Sequence, residues 1–177
     1  MVQKGILSVQ TGKTAAIRLI TDSAADLPPD IVAKENIILI PLSIEIGRQT
    51  YRDGIDLMPE DFYRTMKGAI RPGISPPRED DVNQLFRDMV PTEDIFAIFL
   101  SGKMSRMFDR AMGVKKKYFD SYLKERQDHG ETVPPRLDLI DSGLVSLGMG
   151  LLVTEAADKM KNGSSAEEIR QYTESLI

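Results

Sequence analysis

Two apolar runs of this sequence end in the same polar pair: RLITDS delivers Asp22 and Ser23, and LDLIDS delivers Asp141 and Ser142. Asp and Ser both accept hydrogen bonds from the free amides at a helix start, so one reading is a pair of helix caps. A second is a shared rim that offers hydroxyls and free amides to an anionic ligand group. A third has Asp22 and Asp141 converge on Mg²⁺ through oxygen ligands, as in a carboxylate-based phosphotransferase. A phosphoaspartate enzyme would carry a second aspartate two residues after the first, whereas Ser23 and Ala24 follow Asp22. The phosphotransferase is therefore the weakest of the three.

Residue types exclude other chemistry. The chain has no cysteine, which removes disulfides, thiol catalysis, iron–sulfur clusters and thiolate zinc sites. Its one histidine, His129, sits in the polar, proline-flanked stretch ERQDHGETVPPR and reads as a solvated loop residue, so a serine hydrolase has no base. TGKT at residues 11 to 14 resembles the end of a phosphate-binding loop, but Leu7 stands where that motif needs glycine. GLVSLGMG has glycines without the G-x-G-x-x-G spacing of a dinucleotide site. No metal ligand set, cofactor site or catalytic residue is assigned.

The elements that must position the acidic pairs follow from periodicity. IRLIT, DIFAIFL and RLDLI read as short buried strands, the second apolar without interruption, as for a parallel strand covered on both faces. IILIPLSIEI reads as one extended segment with an edge position or a bend at Pro41. RPGISPP is too rich in proline and glycine for regular structure and reads as a loop. Helices are expected from about Pro29 to Lys34, over MPEDFYRTMKG, over REDDVNQLFRDMV with Val82, Leu85, Phe86 and Met89 on one face, and after LSGKMS. That last helix takes Met104, Met107, Phe108, Ala111, Met112, Tyr118, Phe119 and Tyr122 as its apolar stripe and the lysines of GVKKKYFD as a solvated face. Two more follow: one bearing Met149, Leu152, Val153, Ala156, Ala157 and Met160 that stops at Asn162-Gly163, and one opened by a Ser165/Glu168 capping box and facing inward with Ile169, Tyr172 and Leu176. Alternating strands and helices imply an α/β fold, a mostly parallel sheet with helices on both faces. In such a sheet the carboxyl ends of the strands share one rim, where TDSAAD, GISPP, LSGKMS and DSGLVS gather.

The 177 residues, 41% of them hydrophobic, suffice for a domain with a real core. With 23 basic against 27 acidic residues and a net charge of -4, no global positive field draws nucleic acid. The longest apolar runs are about ten residues, half of what a bilayer span requires, so no membrane span is expected. The opening MVQKGILSVQTGKTAA lacks the apolar core of a secretory signal, which makes a cytoplasmic setting the default.

Taken together, TDSAADLPPD, IPLSIEI, YRDGIDLMPEDFY and DSGLVSLGMG, in that order, resemble the amino-terminal domain of the DegV family, bacterial fatty-acid-binding proteins. The resemblance implies a DegV-like domain over residues 17 to 177, preceded by an extension or linker at 1 to 16, with the family's carboxy-terminal lipid-binding domain absent from the chain. It implies a lipid carrier and not an enzyme: a buried acyl tail, a carboxylate hydrogen-bonded by rim hydroxyls, and in some members a fatty-acid kinase subunit as partner. Buried methylenes contribute roughly 0.8 kcal/mol each, so the tail would supply most of the affinity. Carried onto this chain, the head-group loops are ISPPR in place of TSQPS, and SGKMSR in place of SSGLSG. The implied ligand contacts are Ser75, Ser101, the Gly102 amide and Ser105, with Ile74 replacing a hydroxyl residue and Lys103 and Arg106 replacing glycines; Asp22, Ser23, Asp141 and Ser142 take a structural role at the rim. The two cations either substitute charge-assisted contacts for the lost hydroxyls or fill the lipid site, leaving a ligand-free interaction domain. A first domain alone would expose an apolar face that invites self-association.

Overall fold

Successive side chains of the buried strands enter two different cores, and this alternation organises the molecule. The computed structural model describes residues 15–66 and 71–177, so the TGKT segment and the last two residues of MPEDFYRTMKG lie outside the described residues. In chain order the elements are β1 (Ala16–Asp22), α1 (Pro29–Lys34), β2 (Ile38–Ile40), β3 (Ser43–Ile46), β4 (Gln49–Arg52), α2 (Pro59–Thr65), β5 (Gly73–Ser75), α3 (Glu79–Met89), β6 (Glu93–Phe99), α4 (Met107–Asp128), β7 (Leu137–Asp141), α5 (Ser146–Lys161) and α6 (Ala166–Ser175).

The main sheet is four-stranded and parallel, in the order β2-β1-β6-β7. Ile20, Ile95, Ala97, Phe99, Leu137 and Leu139 point to a core closed by α3 and α4 through Val82, Phe86, Met107, Ala111, Val114 and Tyr122. Their neighbours Leu19, Phe96, Ile98 and Ile140 point to a second core closed by Met149, Leu152, Val153, Ala156 and Ile169. Helices thus cover both faces, as the uninterrupted apolar run of β6 requires.

IILIPLSIEI breaks at Pro41, where a bend is expected: Pro41, which cannot donate to a ladder, separates β2, at the edge of the main sheet, from β3 in a three-stranded antiparallel sheet of order β4-β3-β5. One reading of the sequence needs correction: RPGISPP is not all loop, because its Gly73–Ser75 pairs with β3 as β5. β3 and β4 form a hairpin turned at Gly47, whose φ of 64° suits a residue without a side chain. This small sheet keeps Ile44 and Ile46 against Leu57, Tyr51 and Phe62.

Helix starts and stops follow local chemistry. Pro29 and Pro59 occupy first turns, Glu79, Asp80 and Asp81 place negative charge at the positive end of α3, and Ser165 with Glu168 forms a reciprocal capping box on α6. Helix α5 stops at Asn162 with Gly163 at φ 79°. Three side-chain assignments differ from the periodic reading. Met104 precedes α4 and is exposed, as is Met112, while Val114 takes a core position. In the lysine run Lys116 and Lys117 are exposed as expected, with Lys117 paired to Glu79 at 2.6 Å, while the half-buried Lys115 donates its Nζ to the Leu137 carbonyl at 2.7 Å. In α6 the inward face is Ile169 and Thr173, with Leu176 exposed.

Candidate functional site

The rim is knitted together by its acidic pairs. Asp22 is 0% exposed; its Oδ1 accepts the Ala24 amide at 3.0 Å and its Oδ2 the Leu100 amide at 2.9 Å, so one carboxylate joins the loops after β1 and β6. Burial pushes this carboxyl up to about 6, against the pull of the two amides that favour its charged form. Ser23 Oγ accepts the Leu42 amide at 3.1 Å. Asp141 Oδ1 accepts the amides of Gly102 at 2.9 Å and Gly143 at 3.0 Å, which joins the loops after β6 and β7. Ser142 donates its amide to the Phe99 carbonyl at 3.1 Å, and its hydroxyl accepts the Leu144 amide at 3.1 Å.

The Asp-Ser repeat therefore marks strand ends that bind neighbouring loops. Asp22 caps only a short 3₁₀ turn, Ser23–Ala25, and α5 begins well beyond Asp141 at Ser146. Ser146 donates its hydroxyl to Asp26 Oδ2 at 2.6 Å, and both residues adopt the left-handed region, φ 51° and 49°. A Cβ on Gly150 would lie 2.6 Å from the Ala25 carbonyl oxygen, so the glycine lets α5 press directly on the TDSAAD turn. Asp22 is thus buried with each of its oxygens accepting a backbone amide. Among the described residues no group of three or more His, Cys, Asp and Glu side chains could hold a metal ion.

Beside this rim lies a cleft of about 750 Å³ between the small sheet and the start of α4. Period-two alternation decides its walls. Ser43, Glu45, Thr50 and Ser75 face it, while Ile44 and Ile46, next to them in sequence, turn to the opposite side. Arg106, Asp109 and Arg110 form the other wall, and Pro76, Pro77, Arg78 and Glu79 close one end. Ser75 Oγ donates to Glu45 Oε1 at 3.1 Å. The nearby ion pairs are Arg78 with Asp81 at 2.9 Å, Arg110 with Glu79 at 3.8 Å and Lys117 with Glu79; none of them engages Arg106. A second cleft of about 640 Å³ shares Ser43, Thr50, Pro77 and Arg78 with the first and runs on over Leu39, Ile40, Val82 and Leu85.

Of the residues singled out from the sequence, Ser75 and Arg106 both line the first cleft, on opposite walls. Ser101 is 3% exposed; its carbonyl accepts the amides of Met104 and Ser105, each at 2.9 Å, and its hydroxyl accepts the Lys103 amide at 3.3 Å. Ser105 Oγ accepts the Met107 amide at 3.1 Å as α4 starts. The Gly102 amide is taken by Asp141, and a Cβ at Gly102 would come within 2.7 Å of Asp141 Oδ2. Lys103 is exposed and does not line the cleft. Ile74, 67% exposed, faces a smaller pocket of about 230 Å³ with Leu57 and Phe62, on the other side of β5 from Ser75. The sequence reading missed Glu45, Thr50 and Arg110. Arg110 had a signal, one helical turn after Arg106; Glu45 and Thr50 had none without the pairing of β3 to its neighbours.

Comparison with known proteins now bears on this geometry. The family model described as "Uncharacterised protein, DegV family" matches residues 16–177. The chain belongs to the DegV family. A DegV domain-containing protein of Caldanaerobacter subterraneus is 30% identical over 154 residues, covering 86% of this chain and 50% of the relative. One from Clostridium perfringens is 31% identical over 159 residues, 88% of this chain and 51% of the relative. The chain thus spans about half the length of the curated relatives it matches. Among solved structures, DegV from Bacillus subtilis, described as a fatty acid binding protein, superposes with a TM-score of 0.76 at 26% identity, over 92% of this chain and 54% of that one. A stearic-acid-binding protein from Eubacterium ventriosum superposes with a TM-score of 0.79 at 22% identity, over 89% of this chain and 52% of that one. The α/β architecture is therefore that of DegV proteins, and no helix among the described residues is long and apolar enough to cross a membrane.

Proposed function

We propose that this DegV-family domain binds a long-chain fatty acid, with the carboxylate held between the Ser75 hydroxyl and the Arg106 guanidinium. The observation that carries the reading is the cleft itself: Ser75 lines one wall and Arg106 the other, and none of the surrounding ion pairs engages Arg106. A charge-assisted contact from Arg106 makes up for the hydroxyl lost where Ile74 faces away. The adjoining cleft over Leu39, Ile40, Val82 and Leu85 accommodates the first part of the tail. Ser101, Ser105 and the Asp141-bound Gly102 set the loop from which Arg106 projects. The function is carriage, with no chemical step, and the description of Bacillus subtilis DegV as a fatty acid binding protein supports it.

Two observations favour a second reading, a ligand-free interaction domain: the Gly102 amide is already engaged, and Ser101 is almost wholly buried. Native mass spectrometry of the purified protein, followed by calorimetric titration with oleate, separates the two. The carrier reading predicts a co-purified fatty acid or saturable oleate binding that weakens in Ser75→Ala. Protein that emerges free of lipid and takes up none establishes the second reading.

A further inference from the structure

Resting on the carboxylate site proposed above, we infer that Glu45 is a built-in competitor for the ligand's carboxylate and sets the affinity of the cleft. Glu45 lies on the cleft face of β3, opposite Gly73 of β5 and two pairs along from the Ser43–Ser75 pair, the next pair on the same face. Its carboxylate folds over Gly73, where an added Cβ would lie 3.4 Å from Oε2 and 3.5 Å from the Glu45 Cβ. From there Oε1 accepts the Ser75 hydroxyl at 3.1 Å. A serine hydroxyl has a single proton to donate. That proton, which the ligand's carboxylate needs, is therefore already given to a carboxylate of the protein itself.

Charge adds to this competition. The ion pairs around the cleft engage Glu79 and Asp81, and none engages Glu45. A fatty-acid carboxylate that reaches Ser75 must then lie beside a second negative charge, with Arg106 as the cation the two share. Like charges at such separations repel even under solvent screening. Occupation of the site thus requires Glu45 to give up Ser75 and swing toward solvent, which its exposed position on β3 permits. The residue discriminates between ligands: its charge repels an anionic head group and adds no such repulsion toward a neutral one.

The test compares wild type with Glu45→Gln, which keeps an acceptor for Ser75 and removes only the charge, using calorimetric titration with oleate and with oleyl alcohol. The expected result is oleate binding about tenfold tighter in Glu45→Gln, equivalent to about 1.4 kcal/mol. Oleyl alcohol changes by less than about twofold, and the oleate gain shrinks at about 1 M salt, where the screening length falls to about 3 Å. Equal or weaker oleate binding in Glu45→Gln, in a wild type that does bind oleate, overturns the competitor role and leaves the carboxylate site standing. An equal gain for the alcohol also overturns it, since a neutral ligand meets no charge repulsion. If neither wild type nor Glu45→Gln binds oleate, the carboxylate site and the competitor role fail together; oleate binding that appears only in Glu45→Gln supports both.

Discussion

Replacing Asp22 by asparagine gives a test of the rim that does not require a ligand. Asp22 is fully buried, and burial raises its carboxyl from 3.8 to about 6. The native protein therefore holds this proton to higher pH than the unfolded chain does. Between about pH 4 and pH 6 the folded state binds more protons, so the contribution of Asp22 to stability falls as pH rises and stays low above about 6. At about 1.4 kcal/mol per pH unit, the fall amounts to roughly 3 kcal/mol. Asparagine does not titrate. It keeps an acceptor for one of the Ala24 and Leu100 amides and turns its NH₂ toward the other, an offset of about 1–3 kcal/mol that does not vary with pH. Acids that respond in the opposite sense, such as Asp56, held at about 2 by its hydrogen bonds with Arg52, are common to both proteins and cancel in the difference. Urea denaturation of wild type and Asp22→Asn at pH 4, 5, 6 and 7 is the assay. The stability of Asp22→Asn relative to wild type should climb by roughly 3 kcal/mol across that window. A difference that stays flat would show that the native carboxyl titrates like an exposed one, and the account of the rim would be wrong.

Other positions give sharper structural tests. Arg126 is 2% exposed, donates to the carbonyls of Val90, Glu93 and Val133 at 2.9, 2.8 and 3.0 Å and pairs with Asp94 at 3.1 Å. Arg126→Ala strands that buried arrangement and should lower stability by roughly 3–5 kcal/mol in the same denaturation assay; a loss under about 1 kcal/mol contradicts it. Gly150→Ala drives a Cβ against the Ala25 carbonyl and should destabilise by about 1–3 kcal/mol. Gly113→Ala, in α4 with open space around the new methyl, should stabilise by about 0.5–1 kcal/mol. Thermal melts in which Gly150→Ala melts at or above the wild-type temperature would contradict the packing of α5 on the TDSAAD turn.

The main sheet was legible because its strands are short apolar runs that end in turn chemistry, and one of them is apolar without a break. The helix boundaries at Ser165 and Asn162-Gly163 were legible because caps are local. The small sheet was not. Gly73–Ser75 becomes a strand only through its pairing with β3, and proline and glycine on either side give the opposite local signal. Arg126 was equally hidden, since a charged residue in a polar helix end reads as solvated until the carbonyls of Val133 and of the distant Val90 and Glu93 converge on it. The candidate site was half legible. Ser75 and Arg106 could be singled out from the family's loops, but Glu45 and the Asp141–Gly102 contact depend on which strand faces which.

Placing the ligand's carboxylate beside Arg106 is the central claim, and NMR of oleate labelled with ¹³C at its carboxyl carbon tests it most directly. Bound to wild type, the carboxylate should feel the guanidinium, which favours its charged form, so Arg106→Ala should move its titration up while Lys103→Ala leaves it unchanged. A bound carboxylate whose titration ignores Arg106, or oleate whose labelled carbon shows no bound signal at all, would contradict the account.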